Sequence, residues 1–216
     1  MSREFEIRRE VELPGTPEQV WDAVATGNGA AGWMFPTGEG APTAVGEVWA
    51  GHTVTVFDPP RHLAVRAESD EFTNALEYQI EAAPGGAVLR YVHSGILTGD
   101  WDAQYDGASR HTDFYLHSLG EYLGHFAGRD PHYLGLDEVP GTTADVLARL
   151  GIDAQVGERT ALGVVDYRDG TMVGVRSEDA LIRVYGRDLW GWPVGVGVHS
   201  FAGSVDEAAW RAKVAA

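Results

Sequence analysis

The chain has 216 residues, 44% of them hydrophobic, enough for one large domain or for one domain with a substantial extension around a sizeable core. It has no cysteine, which excludes disulfides, thiol chemistry and Cys-ligated metal. Its formal net charge of −16 repels phosphate backbones and anionic lipid surfaces, so no nucleic-acid partner is expected; the longest basic run is Arg8-Arg9.

In chain order, an alternating strand over 5–13 runs into a Pro-Gly turn. A helix-start signal follows: Thr16 as N-cap, Pro17 at the first helical position, and Gln19 where a capping box wants Glu or Gln. The short helix turns Val20, Trp21 and Val24 inward and dissolves into a Gly-rich stretch, Gly27 to Gly32, before Trp33 and Phe35. A Gly- and Pro-bearing loop leads to a strand over 48–57, with His52, Val54 and Val56 on one side and Trp49, Thr55 and Phe57 on the other. Asp58-Pro59-Pro60-Arg61 is a tight turn. Strands over 63–68, 72–82 and 88–96 complete a meander, with a hairpin signal at Pro84-Gly85-Gly86; Phe72, Asn74, Leu76, Tyr78 and Ile80 share one face.

A helical stripe follows, with Trp101, Tyr105, Ala108, Thr112, Tyr115, Leu119, Tyr122 and Phe126 at steps of three and four. The opposite face carries Asp102, Asp106, Arg110, Asp113, His117 and Glu121, and Gly128 is the expected stop. Beyond a linker-like Arg-Asp-Pro-His-Tyr, Thr142 or Thr143 caps a short helix through Leu150. Strands are expected over 161–167, 171–176, 180–185 and 194–201. Ser204 and Glu207 make a capping box before a last helix over 205–214.

The inward-facing aromatics are the first candidates for function. Trp33, Phe35 and Trp49 precede the meander, Tyr78 and Tyr91 sit within it, and Trp101, Tyr105, Tyr115 and Tyr122 lie on the long helix with Leu119. Such a set either fills a core or lines a cavity, with indole and hydroxyl groups as its polar handles. His93 on a strand and His111 beside the helical stripe are candidate hydrogen-bonding groups toward a ligand. The histidines of the long helix, His111, His117 and His125, are six and eight residues apart, not the four that a helical metal site wants, so no metal and no cofactor are expected. The acids Asp100, Asp102 and Asp106 at that helix's start are explained by the helix dipole, so no catalytic residue is assigned. Gly195-Val196-Gly197-Val198-His199 lacks the spacing of a dinucleotide-binding loop and lies in a strand-like run.

The order strand, short helix, meander, long helix resembles the START-like (SRPBCC) superfamily, an α+β helix-grip fold. The carriers of the likeness are the TPEQVWDAV helix entry, Gly32-Trp33 and the Asp-Pro-Pro-Arg turn. Within it, the chain is most similar to the branch related to the C-terminal domain of the Hsp90 ATPase activator. The resemblance covers about residues 1–128, with 129–216 expected as a C-terminal α+β extension of four strands and a final helix. It implies a curved antiparallel sheet wrapped around a long helix with a cavity between them. The expected function is binding of a small apolar molecule, as a non-catalytic carrier or sensor. The alternatives are a polyketide cyclase- or aromatase-like enzyme and a chaperone-associated interaction module, with a second copy of the chain as a further candidate partner. There is no run of eighteen apolar residues and no apolar signal segment in Met-Ser-Arg-Glu-Phe-Glu, so neither membrane insertion nor export is expected and a cytoplasmic location is.

Overall fold

The computed structural model describes residues 2–38, 40–69 and 72–215; the Phe72 side chain, expected on the inner face of its strand, lies outside the described residues. Strand β1 (Arg3–Leu13) alternates as its sequence does, burying Phe5, Ile7 and Leu13. Helix α1 (Pro17–Ala25) starts with the full capping box, Thr16 Oγ1 accepting from Gln19 N and Gln19 Oε1 accepting from Thr16 N. The Gly-rich stretch does not dissolve. Thr26 caps a second short helix, α2 (Gly27–Ala31), by accepting from Gly29 N at 2.9 Å.

Strands β2 (Val48–Trp49), β3 (His52–Asp58), β4 (His62–Ser69), β5 (Phe72–Ala83) and β6 (Gly86–Leu97) complete the first sheet, antiparallel in the order β1-β6-β5-β4-β3-β2. A register shift between Val54 and Val56 corrects the expected alternation of β3. Phe57, not Val56, joins Val54 on the inner face, where Trp21 meets it at 5.7 Å between ring centroids. The outer face is polar: Arg90 pairs with Glu10 and Glu81, and His62 with Glu77.

Helix α3 (Trp101–His125) is capped by Asp100. Leu116, Leu119 and Leu123 pack into the core of the first sheet with Leu63, Ile80 and Leu89. Most of its polar face is turned away from water, Asp102 staying exposed and Asp113 pairing with Arg9 of β1. A second six-stranded antiparallel sheet covers it, ordered β7-β12-β11-β10-β9-β8. These strands are β7 (His132–Val139), β8 (Arg159–Thr160), β9 (Gly163–Arg168), β10 (Met172–Arg176), β11 (Ala180–Tyr185) and β12 (Val194–Ser200), six in place of the expected four. The expected linker contains the start of β7, and β8 adds an edge. Helix α4 (Thr143–Leu150), capped by Thr142, and helix α5 (Glu207–Ala215) cover the far face of this sheet. At α5 it is Asp206, not Ser204, whose side chain accepts from the helix, at Ala209 N.

The Gly-Val-Gly-Val-His run follows from this layering. Val194, Val196 and Val198 alternate into the core under α4 and α5. Gly195, Gly197 and His199 face the other way. A Cβ at Gly195 would lie 2.5 Å from the Arg187 guanidinium, and one at Gly197 would lie 3.4 Å from the rings of Tyr133 and Tyr185. The glycines are the floor on which these large side chains lie.

Helix α3 therefore serves two cores. Leu119 is fully buried against the first sheet, and Phe114 is fully buried against Met172 and Tyr185 of the second. Phe114→Ala is expected to destabilise by about 3–5 kcal/mol and Leu119→Ala by about 2–5 kcal/mol. Because the helix is common to both, each variant should lower the midpoint of one shared unfolding transition in urea. Two separated transitions, one moved by each variant, would show instead that the two sheets fold independently.

Candidate functional site

Burial along the inner face of the first sheet is graded. On β6, Leu89 and Tyr91 are buried while His93 is half-buried; on β5, Ile80 and Tyr78 are buried while Leu76 and Asn74 are half-buried. The sheet and α3 close tightly at one end and part at the other.

The open end carries a row of polar side chains across four strands. His93 Nε2 lies 2.7 Å from Asn74 Oδ1, Asn74 Nδ2 lies 3.1 Å from His52 Nε2, and His52 Nδ1 lies 2.9 Å from the Ala50 carbonyl. The carbonyl fixes the direction of the whole row. Because it can only accept, His52 Nδ1 carries the proton and Nε2 of the neutral ring is a lone pair. Asn74 therefore turns its NH₂ to His52 and its oxygen to His93, whose Nε2 must donate. This leaves Nδ1 of His93 as an acceptor uncommitted within the row. Ala50 itself has φ 52°, a left-handed conformation that costs an L-residue about 1–2 kcal/mol. It turns β2 into β3, which places Trp49 opposite His52.

The rims are aromatic. Trp49 stands at one edge, half-buried, with its indole Nε1 buried and without a partner among the described residues. At the other edge Trp101 stacks on Tyr105 with centroids 4.8 Å apart and planes 8° apart, under the Arg3 guanidinium at 3.8 Å; its Nε1 is also buried and unpartnered. Phe5 meets the His93 ring edge-on at 4.9 Å.

Of the residues picked out from sequence, the structure thus brings His93, Trp49, Trp101 and Tyr105 to the open end, while Tyr91 is buried in the core opposite Tyr78. Tyr91 sits below His93, their ring centroids 6.5 Å apart. Trp33, Tyr78, Leu119 and Tyr122 lie in the closed core. The Trp33 indole donates to the Ala23 carbonyl at 2.9 Å, and Tyr122 packs on Phe201 of the second unit. His111 and Tyr115 face the seam with the second sheet. His111 stacks on Tyr185 at 5.8 Å, and the Tyr115 ring lies 5.9 Å from the Tyr185 ring. Phe35 is 42% exposed beside Tyr115. Sequence reasoning missed His52 and Asn74. The available signal was that each occupies an inward position of an alternating strand, where an apolar residue is expected.

No protein-family model and no curated protein matches the chain. Among solved structures it is similar to protein MLL2253 from Mesorhizobium loti, at 20% identity over 56% of this chain and 98% of that one, with a TM-score of 0.47. It is similar to the Aha1 dimer from Colwellia psychrerythraea at 17% identity, over 55% of this chain and 96% of that one, with a TM-score of 0.43. CalU16 from Micromonospora echinospora matches at 17% identity, over 56% and 74%, with a TM-score of 0.40. The chain is an α+β protein whose two antiparallel sheets and five helices are compatible with a helix-grip arrangement. No helix of the described residues is long and apolar enough to cross a membrane.

Burial, together with the neighbouring His52, lowers the His93 pKa from 6.5 to about 4. The unfolded chain binds a proton at this position near the ordinary value and the folded chain only near 4. The contribution of neutral His93 to stability is therefore complete above pH 6.5 and is lost as the pH falls toward 4. His93 is expected to titrate near pH 4 in imidazole NMR spectra, and His93→Gln to flatten the fall in stability across that window. A midpoint near 6.5 would mean that the ring is neither desolvated nor committed to Asn74.

Proposed function

We propose that this protein binds a small, largely apolar molecule at the open end of the grip between the first sheet and α3, as a carrier or sensor. The observation that carries the proposal is the His52–Asn74–His93 row, a directed polar chain on the inner face of the sheet, ending in an acceptor at His93 Nδ1. The two indole N–H groups at the rims, on Trp49 and Trp101, supply donors. A ligand recognised here has an apolar body and at least one hydrogen-bond donor. Binding is favoured over acid–base chemistry because a ring with a pKa of about 4 is a weak base at neutral pH, far from the value that general catalysis favours.

In the same proposal, residues 1–128 form a START-like helix-grip domain of the Hsp90-activator-related branch, and 129–216 an α+β extension that acts in the cytoplasm with it. The helix entry at Thr16–Gln19 and the element order support that assignment. A second reading, protein contact, is favoured by one observation. Phe35, Val45 and Val48 stand 42%, 61% and 75% exposed on the segment leading to β3.

Native mass spectrometry of protein purified from its own host tests the proposal. The expected result is a discrete adduct, released on denaturation and weakened by about tenfold or more in His93→Leu, the loss of roughly one hydrogen bond with its acceptor. An adduct indifferent to His93→Leu would overturn the site. A bare mass, with a co-purifying protein lost in Val48→Asp, would establish the second reading.

A further inference from the structure

Beyond Leu97, at the end of β6, a separate cavity of about 440 Å³ opens between the start of α3 and the second unit. Leu97, Ala103, Gly107 and Ala108 form one wall. Trp190 and Trp192, from the 3₁₀ turn Arg187–Trp190 and the residues just after it, form the other. None of the His52, Asn74 and His93 side chains lines it.

The indoles are held in place. Trp190 Nε1 donates to Asp106 Oδ2 at 3.0 Å, and the two rings lie 5.4 Å apart at 38°. A Cβ at residue 107 would lie 2.9 Å from Trp192 Cζ3, so Trp192 reaches the helix only because Gly107 has no side chain. Glycine inside a helix weakens it, so this close approach is made at the helix's expense. Both indoles stay partly exposed, leaving aromatic surface that no core uses.

Asp100 is the one charged residue lining the cavity. His111, also in the wall, has its Nδ1–H committed to the Gly107 carbonyl at 2.7 Å, and burial lowers its pKa, which keeps it neutral. The nearby guanidiniums are engaged elsewhere: Arg110 with Asp106 and Asp169, Arg187 with the Pro193 and Asp137 carbonyls. The N-terminus of α3 presents positive charge, which Asp100 offsets by accepting from Ala103 N. The net charge of −16 adds a long-range field of the same sign as Asp100.

We propose that this cavity binds a small organic cation, an alkylated ammonium, with its charge on the open faces of Trp190 and Trp192 and Asp100 as counter-ion. Tryptophan is the strongest aromatic partner for such a cation, and the volume suits a small molecule.

Choline and its uncharged isostere 3,3-dimethyl-1-butanol, titrated into the full chain and followed by the indole N–H resonances, test this. Choline is expected to shift Trp190 and Trp192 and leave Trp210 on α5 unmoved. The isostere should bind about fivefold more weakly or worse, within the roughly 2- to 30-fold range of a cation–aromatic contact. Asp100→Asn should weaken choline by a similar factor while keeping the helix, because asparagine caps as well as aspartate. Trp192→Ala should abolish binding, and if that variant fails to fold the charge comparison still decides. Equal binding of the isostere would reduce the site to an apolar cleft. Shifts that spread equally to Trp210 would reduce it to diffuse attraction, and an absence of shifts would remove it; each overturns the proposal. No residue is shared with the His93 row, so failure here leaves that site standing.

Discussion

The arrangement depends on one buried ion pair. Arg183 of β11 is fully out of water and holds Asp166 through Nη1, at 3.0 and 2.9 Å to the two carboxylate oxygens. His117 of α3 reaches the same carboxylate at 3.0 Å. Burial alone would raise the Asp166 carboxyl; Arg183 and His117 beside it hold it below the ordinary value. A guanidinium so placed must have a partner, because leaving a charge unpaired in the interior is far more destabilising than the pair is stabilising. The partner exists because the strand pairing shifts between Gly174 and Val175, which turns Asp166 toward α3. Around it, Glu121 takes Arg176 and Asp106 takes the Trp190 indole. Asp106, Arg110, His117 and Glu121 of α3 are thereby each matched to a group of the second unit, while Asp113 pairs with Arg9 of β1. That fixes the helix from behind, and with it the width of the grip in front.

The first sheet, α1 and α3 were legible in the sequence because their signals are local, whereas α2 was hidden by its glycines. Alternation with period two marks β1 and β4–β6, the Thr16–Gln19 box marks α1, and one aromatic stripe marks α3. What stayed illegible is how α3 is covered. Asp106, Arg110, His117 and Glu121 on one face look like a solvated helix surface, and nothing local distinguishes water from a complementary sheet. The second sheet was legible only where strands are apolar on one face. β7 alternates weakly around Gly135 and Asp137 and begins beside a proline, so it looks like a linker. The shift within β3 left no local mark, since Val56 and Phe57 are equally suited to the interior.

At the site, the aromatics were visible and their partition was not. Trp33, Tyr78, Trp49 and Trp101 have the same spacing logic, yet Trp33 and Tyr78 seal the core while Trp49 and Trp101 stand at its rims. The difference arises from how far each stands along the sheet from the closing leucines of α3, a tertiary quantity. His52 and Asn74 were the more telling residues. A polar side chain at an inward strand position breaks the pattern that burial favours, and such breaks concentrate where function overrides stability.

The graded grip follows from the same physics. At the closed end Leu63, Ile80, Leu89 and Leu119 exclude water and are buried almost completely. Extending that packing with leucines at 52, 74 and 93 would bury more apolar surface and remove three groups that need partners. The chain instead places a mutually satisfied trio there and anchors it on a carbonyl held by the left-handed Ala50. Satisfied internally, the row survives partial burial without charge, and burial in turn keeps His93 neutral. Within the row, His93 Nδ1 is the one acceptor left uncommitted, on a ring that is half-buried. A row placed deeper would be a structural network with nothing to recognise, and one placed further out would be hydrated and indifferent. Its position at the margin of the core is what the proposed recognition role depends on.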